Sequence, residues 1–574
     1  MSRSLPSLVS LTVAALVSCL PAQSEWPQFQ ANASHDGFIP ILAKPGSMQL
    51  RWKQKLSTSS VLGVTIGEGI VFAVTTDKYL RAIDASTGST LWSSSFTTAN
   101  SLNPPSYAYG NVYVQTGNHS SDTYLRSFNA RTGTVVFRAP HAAQWERYYA
   151  PTIFAGRVYV NGGSYGGMYS FDAYSGQQYY FTALPQYDQW TPAVNATTAF
   201  SYVGTGTSGG LYALDRMTGQ QQYFINDPNM GWSGYSMNLA PVLGGKDDAF
   251  VVYAGRLTRF DLRNKTIAYS ISGNFQGQPS IKEGVVYAVG AGELDARDQL
   301  TGQVLWSWKK SGDPLLGSVQ LTSGHAFVRS ASKTYMVDLA TRTDVWSYAE
   351  SGELSIGAGA LFIAQTNGDL TSIGFAQLPK PTSVSPARAH FSAGPVPVTV
   401  KGTAFAAGGT PTVWFGTKQA TNVVVVDDQT ITCTTPASAA GIVDVLVENI
   451  YGRGQLDTGF AYFPAQAIGG TLQPGGVMRV GYECAAGDMV LSMISFPPMN
   501  LRSMVPFQGE IGLNNPYFLV FATPMSPFER FEYSLQIPGG ANPVIGDLLV
   551  QGLAGRELLL GRAAFTNCAT VRIQ

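Results

Sequence analysis

Ala82-Ile83-Asp84-Ala85-Ser86-Thr87-Gly88, with Trp92 following, decides the fold, because the same string returns as Ala296-Arg297-Asp298-Gln299-Leu300-Thr301-Gly302 followed by Trp306. Looser copies place an acidic or amide residue at Asp84, Asn129, Asp172, Asp215, Asp261, Asp298 and Asp338, at intervals of 37 to 46 residues. Intervals of that size are those of propeller blades. In each copy the Asp can accept hydrogen bonds from backbone amides just ahead of it, and the Gly can adopt positive φ in the hairpin. The Trp then offers a large apolar surface to the neighbouring blade.

Upstream halves are also recognisable. Pro105 and Gly110 lead into Val112-Tyr113-Val114, Pro151 and Gly156 into Val158-Tyr159-Val160, and Pro279 and Gly284 into Val285-Val286-Tyr287. An eighth copy is incomplete: Leu361-Phe362-Ile363-Ala364 and Leu370-Thr371-Ser372-Ile373 lack an outer strand. Leu50-Arg51-Trp52-Lys53-Gln54-Lys55 has the Trp of an outer strand and no blade before it, so pairing the two ends closes the ring and removes its open edges. The expectation is an all-β chain with an eight-bladed β-propeller over residues 25–378.

These residues resemble a known family. Trp26-Pro27-Gln28-Phe29 with His35 and Gly37, the repeat, and the strand-swapped closure are similar to the pyrroloquinoline-quinone-like propellers. That fold is shared by quinoprotein dehydrogenases and BamB-type outer-membrane assembly lipoproteins. After the linker Pro379-Lys380-Pro381, the stretches Val398-Thr399-Val400-Lys401-Gly402, Val413-Trp414-Phe415-Gly416 and Thr430-Ile431-Thr432-Cys433-Thr434 resemble the IPT/TIG immunoglobulin-like module, assigned to residues 379–464. Short alternating strands between turn signals argue independently for a β-sandwich there. Residues 465–574 read as a further small β-sandwich-like domain, with Cys484 and Cys568 as a candidate disulfide.

The N-terminus has Arg3, an apolar run from Leu5 to Leu20 and small residues before Glu25, the layout of a secretory signal over residues 1–24. The chain is therefore expected to be exported: secreted, periplasmic or on the cell surface. Leu16-Val17-Ser18-Cys19 also resembles a lipobox, which makes Cys19 a lipidation candidate and the only route here to membrane attachment. Cys433, in an alternating strand, reads as a packing residue. With 36 basic and 36 acidic side chains, the chain has no electrostatic footprint for nucleic acid.

Chemistry is sparse. The quinoprotein dehydrogenases of the resembled family bear adjacent cysteines near the cofactor and a calcium site, yet residues 25–378 contain no cysteine and no calcium-loop spacing. No cofactor, catalytic residue or metal site is expected. The five histidines are dispersed, and Gly162-Gly163 and Gly209-Gly210 read as turns because no helix or Lys follows them. One feature stands out. The connections between successive blades carry Trp145, Tyr148 and Tyr149, then Tyr187 and Trp190, then Trp232 and Tyr235. Glu146, Arg147, Asp188, Gln189, Asp227 and Asn238 are interleaved. If these rings face outward they form a concave patch for a glycan or a protein segment; if they face inward they fill the space between blades. The reading is a binding or scaffolding protein, with a quinone-dependent or carbohydrate-active enzyme and a BamB-type assembly factor as alternatives.

Overall fold

A computed structural model describes residues 25–574 apart from 118–122, 144–148, 186–187, 206–207, 232–235, 440, 464, 471–472, 474–475, 484–488, 496–517, 525–529, 537–545, 558–561, 566–568 and 574. Cys19, Cys484 and Cys568 lie outside the described residues.

Eight antiparallel blades follow one another along the chain. Blade one is Val61–Gly67, Ile70–Thr75, Tyr79–Asp84 and Thr90–Ser95, ordered from the channel outward. Blades two, three and four end on the outer strands Val135–Pro140, Gln178–Ala183 and Gln221–Asn226. Blades five and six share one long strand, Thr266–Lys282, which leaves blade five as its outer strand and enters blade six as its innermost one. It bends where Asn274 and Gly277 take positive φ. This explains the short interval between Asp261 and Asp298: no connecting loop separates the two blades. In blade eight, Glu353–Gly357, Ala360–Ala364 and Asp369–Gly374 are completed by Gln49–Lys55, so the ring closes with a strand from its own start.

The repeat residues act as their chemistry dictates. Asp84 Oδ1 accepts from the amides of Ser86 and Thr87 and from the Thr87 hydroxyl. The pattern recurs at Asn129, Asp172, Asp215 and Asp298. The outer-strand aromatic ring then packs on the next blade's turn. Trp52 Nε1 donates to Ala85 O at 2.9 Å and Trp92 Nε1 to Ala130 O at 2.8 Å. A Cβ on Gly88 would lie 2.8 Å from Trp52, and one on Gly133 2.7 Å from Trp92. At Gly88 and Gly133 it is the neighbouring indole that demands glycine, since Lys265 and Arg342 hold the same positive φ at the turns of Asp261 and Asp338.

The IPT/TIG segment is a sandwich of a four-stranded and a five-stranded sheet around Val398, Val400, Phe405, Phe415, Val447 and Phe460. Cys433 is buried in this core, with its thiol pushed up to about 11 by burial, which fits a packing role. Beyond it, two further sheets are described between Ala465–Gly470 and Ala569–Ile573.

Arg51 fastens the sandwich to the ring. It is half-buried, desolvation lowers its guanidinium to about 10, and it donates to Ala358 O, Gly359 O and Tyr451 O at 2.9, 2.9 and 2.7 Å. The Tyr451 hydroxyl reaches Leu42 O at 2.8 Å. Arg51→Ala leaves three carbonyls without their charged donor, at a cost of about 3 kcal/mol or more. The expected result is release of the sandwich, read as a larger radius of gyration by solution scattering; an unchanged radius would contradict the assignment.

Candidate functional site

Each innermost strand presents an edge to the channel, with every second N–H directed away from its blade. Residues 26–41 satisfy that edge by winding once around the inner wall. The carbonyl of Trp26 accepts from Ile66 N in blade one, and that of Pro27 from Tyr107 N in blade two. The Gln28 side chain pairs with both backbone groups of Ile153 in blade three, at 2.7 and 2.9 Å. The carbonyls of Ala33, Ser34, Asp36 and Gly37 accept from Val194, Leu243, Ile281 and Leu321 in blades four to seven. The segment visits seven blades in chain order, forming a hub at the face where the Asp-containing turns lie.

The same geometry explains the repeat proline. Two residues before five of the seven hub-bonded amides stand Pro105, Pro151, Pro192, Pro241 and Pro279, with Val64 and Val319 at the other two. A residue there would direct its N–H into the channel, so proline forfeits no ladder bond. The intervening side chains tie blade to blade. Thr65, Ser106, Thr152, Ser280 and Ser355 donate to Pro105 O, Pro151 O, Pro192 O, Val319 O and Val64 O of the next blade. At blade four this position is Ala193, and His35 from the hub takes over, its Nδ1 lying 3.0 Å from Pro241 O and its Nε2 3.3 Å from Thr152 Oγ1. Fully buried, His35 is lowered to about 4 by desolvation and stays neutral.

At the opposite face lie the blade-to-blade connections. Asp188–Trp190 and Ser236–Leu239 pair as parallel strands, so two of the three aromatic connections are joined through their backbones. Of the seven rings proposed from sequence, Trp145, Tyr148, Tyr187, Trp232 and Tyr235 lie outside the described residues. Tyr149 stacks on Phe29 of the hub at 4.9 Å and 20°. Its phenol is raised by burial, with the Glu353 carboxylate adding to the effect.

Trp190 corrects the outward reading for its own position. The indole is 1% exposed and lies in the core that also contains Tyr159, Met168, Leu184 and Leu239. Its alternation along the short strand directs it between blades, so it offers no stacking face. Asp227 is equally committed: it is buried and accepts from the Tyr202 hydroxyl at 2.9 Å.

The glycine pairs serve close approach. A Cβ on Gly163 would meet Phe181 at 2.6 Å, and one on Gly210 would lie 2.0 Å from Ile225 O. The Gly162–Gly167 hairpin carries Tyr165 at its tip, 78% exposed, a ring the sequence reading did not select. A lone Tyr between glycines has no periodicity to mark it.

The quinoprotein alternative requires a tricarboxylate quinone and a divalent cation. Among the described residues no three His, Cys, Asp or Glu side chains converge as a metal site, and the inner-wall hydroxyls named above are spent between blades. The described residues therefore do not fit that pair.

Residues 43–148 and 125–307 match the family model described as outer membrane protein assembly factor BamB, and residues 379–462 match the IPT/TIG domain model. No curated protein matches the chain. Among solved structures, BamB from Moraxella catarrhalis is similar at 15% identity, covering 57% of this chain and 99% of that one with a TM-score of 0.46. Quinohemoprotein alcohol dehydrogenase from Comamonas testosteroni is similar at 15% identity, over 63% and 82% with a TM-score of 0.49. A europium-containing methanol dehydrogenase is similar at 12% identity, over 61% and 98% with a TM-score of 0.47. The architecture itself rests on this chain's own strand pairing. The chain is a β-propeller carrying BamB-type, pyrroloquinoline-quinone-like repeats, followed by an IPT/TIG domain.

Proposed function

We propose that this is an exported binding or scaffolding protein that presents the connection face of its propeller to a glycan or protein ligand and performs no catalysis. The observation that carries the reading is the hub. Residues 26–41 bond to seven blades and take up the inner edge of the ring, so the backbone groups of that edge serve the fold. A catalytic constellation needs convergent groups with unspent hydrogen-bonding capacity around a space for substrate. The connection face has a different character: backbones joined in a parallel pair and the exposed ring of Tyr165. Rigid aromatic surfaces bind sugars and peptide segments at low entropic cost.

The test is a binding screen of the full chain against neutral glycans, cell-wall fragments, peptides, and pyrroloquinoline quinone with calcium. Saturable binding weakened about tenfold by Tyr165→Ala, one ring contact being worth about 1–2 kcal/mol, supports the reading. Quinone binding with dye reduction contradicts it. Trp190→Ala is a fold control here: emptying a core indole costs about 3–5 kcal/mol, so lost binding in that variant reports lost packing.

A further inference from the structure

Three exposed tyrosine rings gather on the hub face across blades two and three. Tyr109 stands in the first hairpin of blade two, Tyr174 in the Asp172 turn of blade three and Tyr179 on the outer strand that follows, at 46%, 57% and 44% exposure. Each is held in place. Tyr109 and Tyr174 pack on one another, with centroids 5.1 Å apart and planes at 37°, and the Tyr109 hydroxyl accepts from Gly156 N at 2.8 Å. The Tyr179 hydroxyl donates to Asp172 Oδ2 at 2.7 Å, and the Arg157 guanidinium lies 3.8 Å over that ring while its Nη1 donates to Met217 O in blade four. The fold does not call for these rings. Ser86 and Ala340 occupy the place of Tyr174 in blades one and seven, and Ala155 and Ala358 take the place of Tyr109 in blades three and eight with the same positive φ. Aromatic side chains clustered and half-exposed at a surface mark an interaction site.

We propose that Tyr109, Tyr174 and Tyr179 form a platform for a neutral pyranose chain, with sugar C–H faces stacked on the rings and sugar hydroxyls accepting from Arg157. What the platform leaves unspent defines that ligand. Both oxygens of Asp172 and the hydroxyls of Tyr109 and Tyr179 are engaged within the protein, so the rings present their carbon faces. Nε and Nη2 of Arg157 make no hydrogen bond among the described residues and supply donors beside those faces. A pyranose ring carries both complements in one unit, an apolar C–H face and a rim of acceptors, whereas an apolar peptide segment leaves the guanidinium donors unmet. Because the rings are fixed before a ligand arrives, little side-chain freedom is lost on binding. The platform is on the face opposite Tyr165 and does not depend on the reading of the connection face.

The experiment is calorimetric titration of the full chain with cellohexaose, chitohexaose and decaproline. Equatorial substitution gives both sugars flat C–H faces, and saturable binding of at least one of them is expected. It should hold steady as salt rises from about 50 to about 300 mM, because no ion pair forms. Tyr174→Ala should weaken it about tenfold with the thermal transition retained, and Tyr174→Phe, which keeps the ring, should bind as the unaltered chain does. Arg263→Ala, in the turn of blade five, should have no effect. Sugar binding lost in Tyr165→Ala and retained in Tyr174→Ala would move the ligand to the connection face and overturn the platform. Binding of neither sugar, equal affinity in Tyr174→Ala, or tighter binding of decaproline would overturn it as well.

Discussion

Gly37→Val should remove the propeller's cooperative thermal transition or lower it steeply, at a cost of about 4 kcal/mol or more, while Gly110→Val should cost only about 1–2 kcal/mol. Both glycines hold positive φ, +66° and +73°, so both substitutions incur the backbone strain of a β-branched residue. They differ in surroundings. A Cβ on Gly37 would lie 1.9 Å from Ser280 Oγ, whereas nothing stands within 4 Å of one on Gly110. To make room, Ser280 must leave Val319 O of the next blade, and the Gly37 carbonyl must leave the Leu321 amide. Each loss strips a buried backbone group of its partner. Comparable melting of the two variants would show that the hub is dispensable.

The second large effect is acid sensitivity. His35 and His141 are both lowered from 6.5 to about 4 by burial, so the unfolded chain binds their protons more readily than the folded one. Folding stability therefore stands in full above pH 6.5 and falls as the pH drops toward 4. At pH 5 the loss is about 2 kcal/mol for each histidine, from 1.36 kcal/mol per unit. His325 is lowered by burial as well and adds to the loss in the same sense. Asp172, Asp215, Asp298 and Asp338 have lowered pKa values and weaken the fold only below the ordinary carboxylate range. Asp36 and Glu25 are raised by burial and work in the opposite sense as they take up protons. Chemical denaturation midpoints measured from pH 7.5 to 5 should fall steadily, and a His141→Gln variant should show a shallower slope. A flat profile would contradict the buried, neutral assignment.

The parts that were legible in the sequence are those with local causes. Asp84, Gly88 and Trp92 each meet a requirement stated by neighbouring residues or by the identical turn one blade on, so the repeat could be read and its blades counted. Strand closure by Gln49–Lys55 was legible as a surplus strand facing a deficit. The hub was not, although Trp26, His35 and Gly37 stood out as a signature. Its bonds are mostly backbone to backbone and reach residues 40 to 284 positions away, as from Trp26 to Ile66 and from Gly37 to Leu321, and neither property leaves a periodic trace. The aromatic connections show the complementary limit. Composition shows that rings are present, but in the short strand around Trp190 a single step in register decides between core and solvent.

Hydrogen exchange of the innermost-strand amides tests the central claim most directly. The amides of Ile66, Tyr107, Ile153, Val194, Leu243, Ile281 and Leu321 face away from their own blades and are bonded only by the hub. The account predicts that all seven exchange as slowly as ladder amides in the same blades, and that Gly37→Val accelerates those that still fold. Fast exchange at these positions in the unaltered chain would mean that they face channel water, and the hub assignment would be wrong.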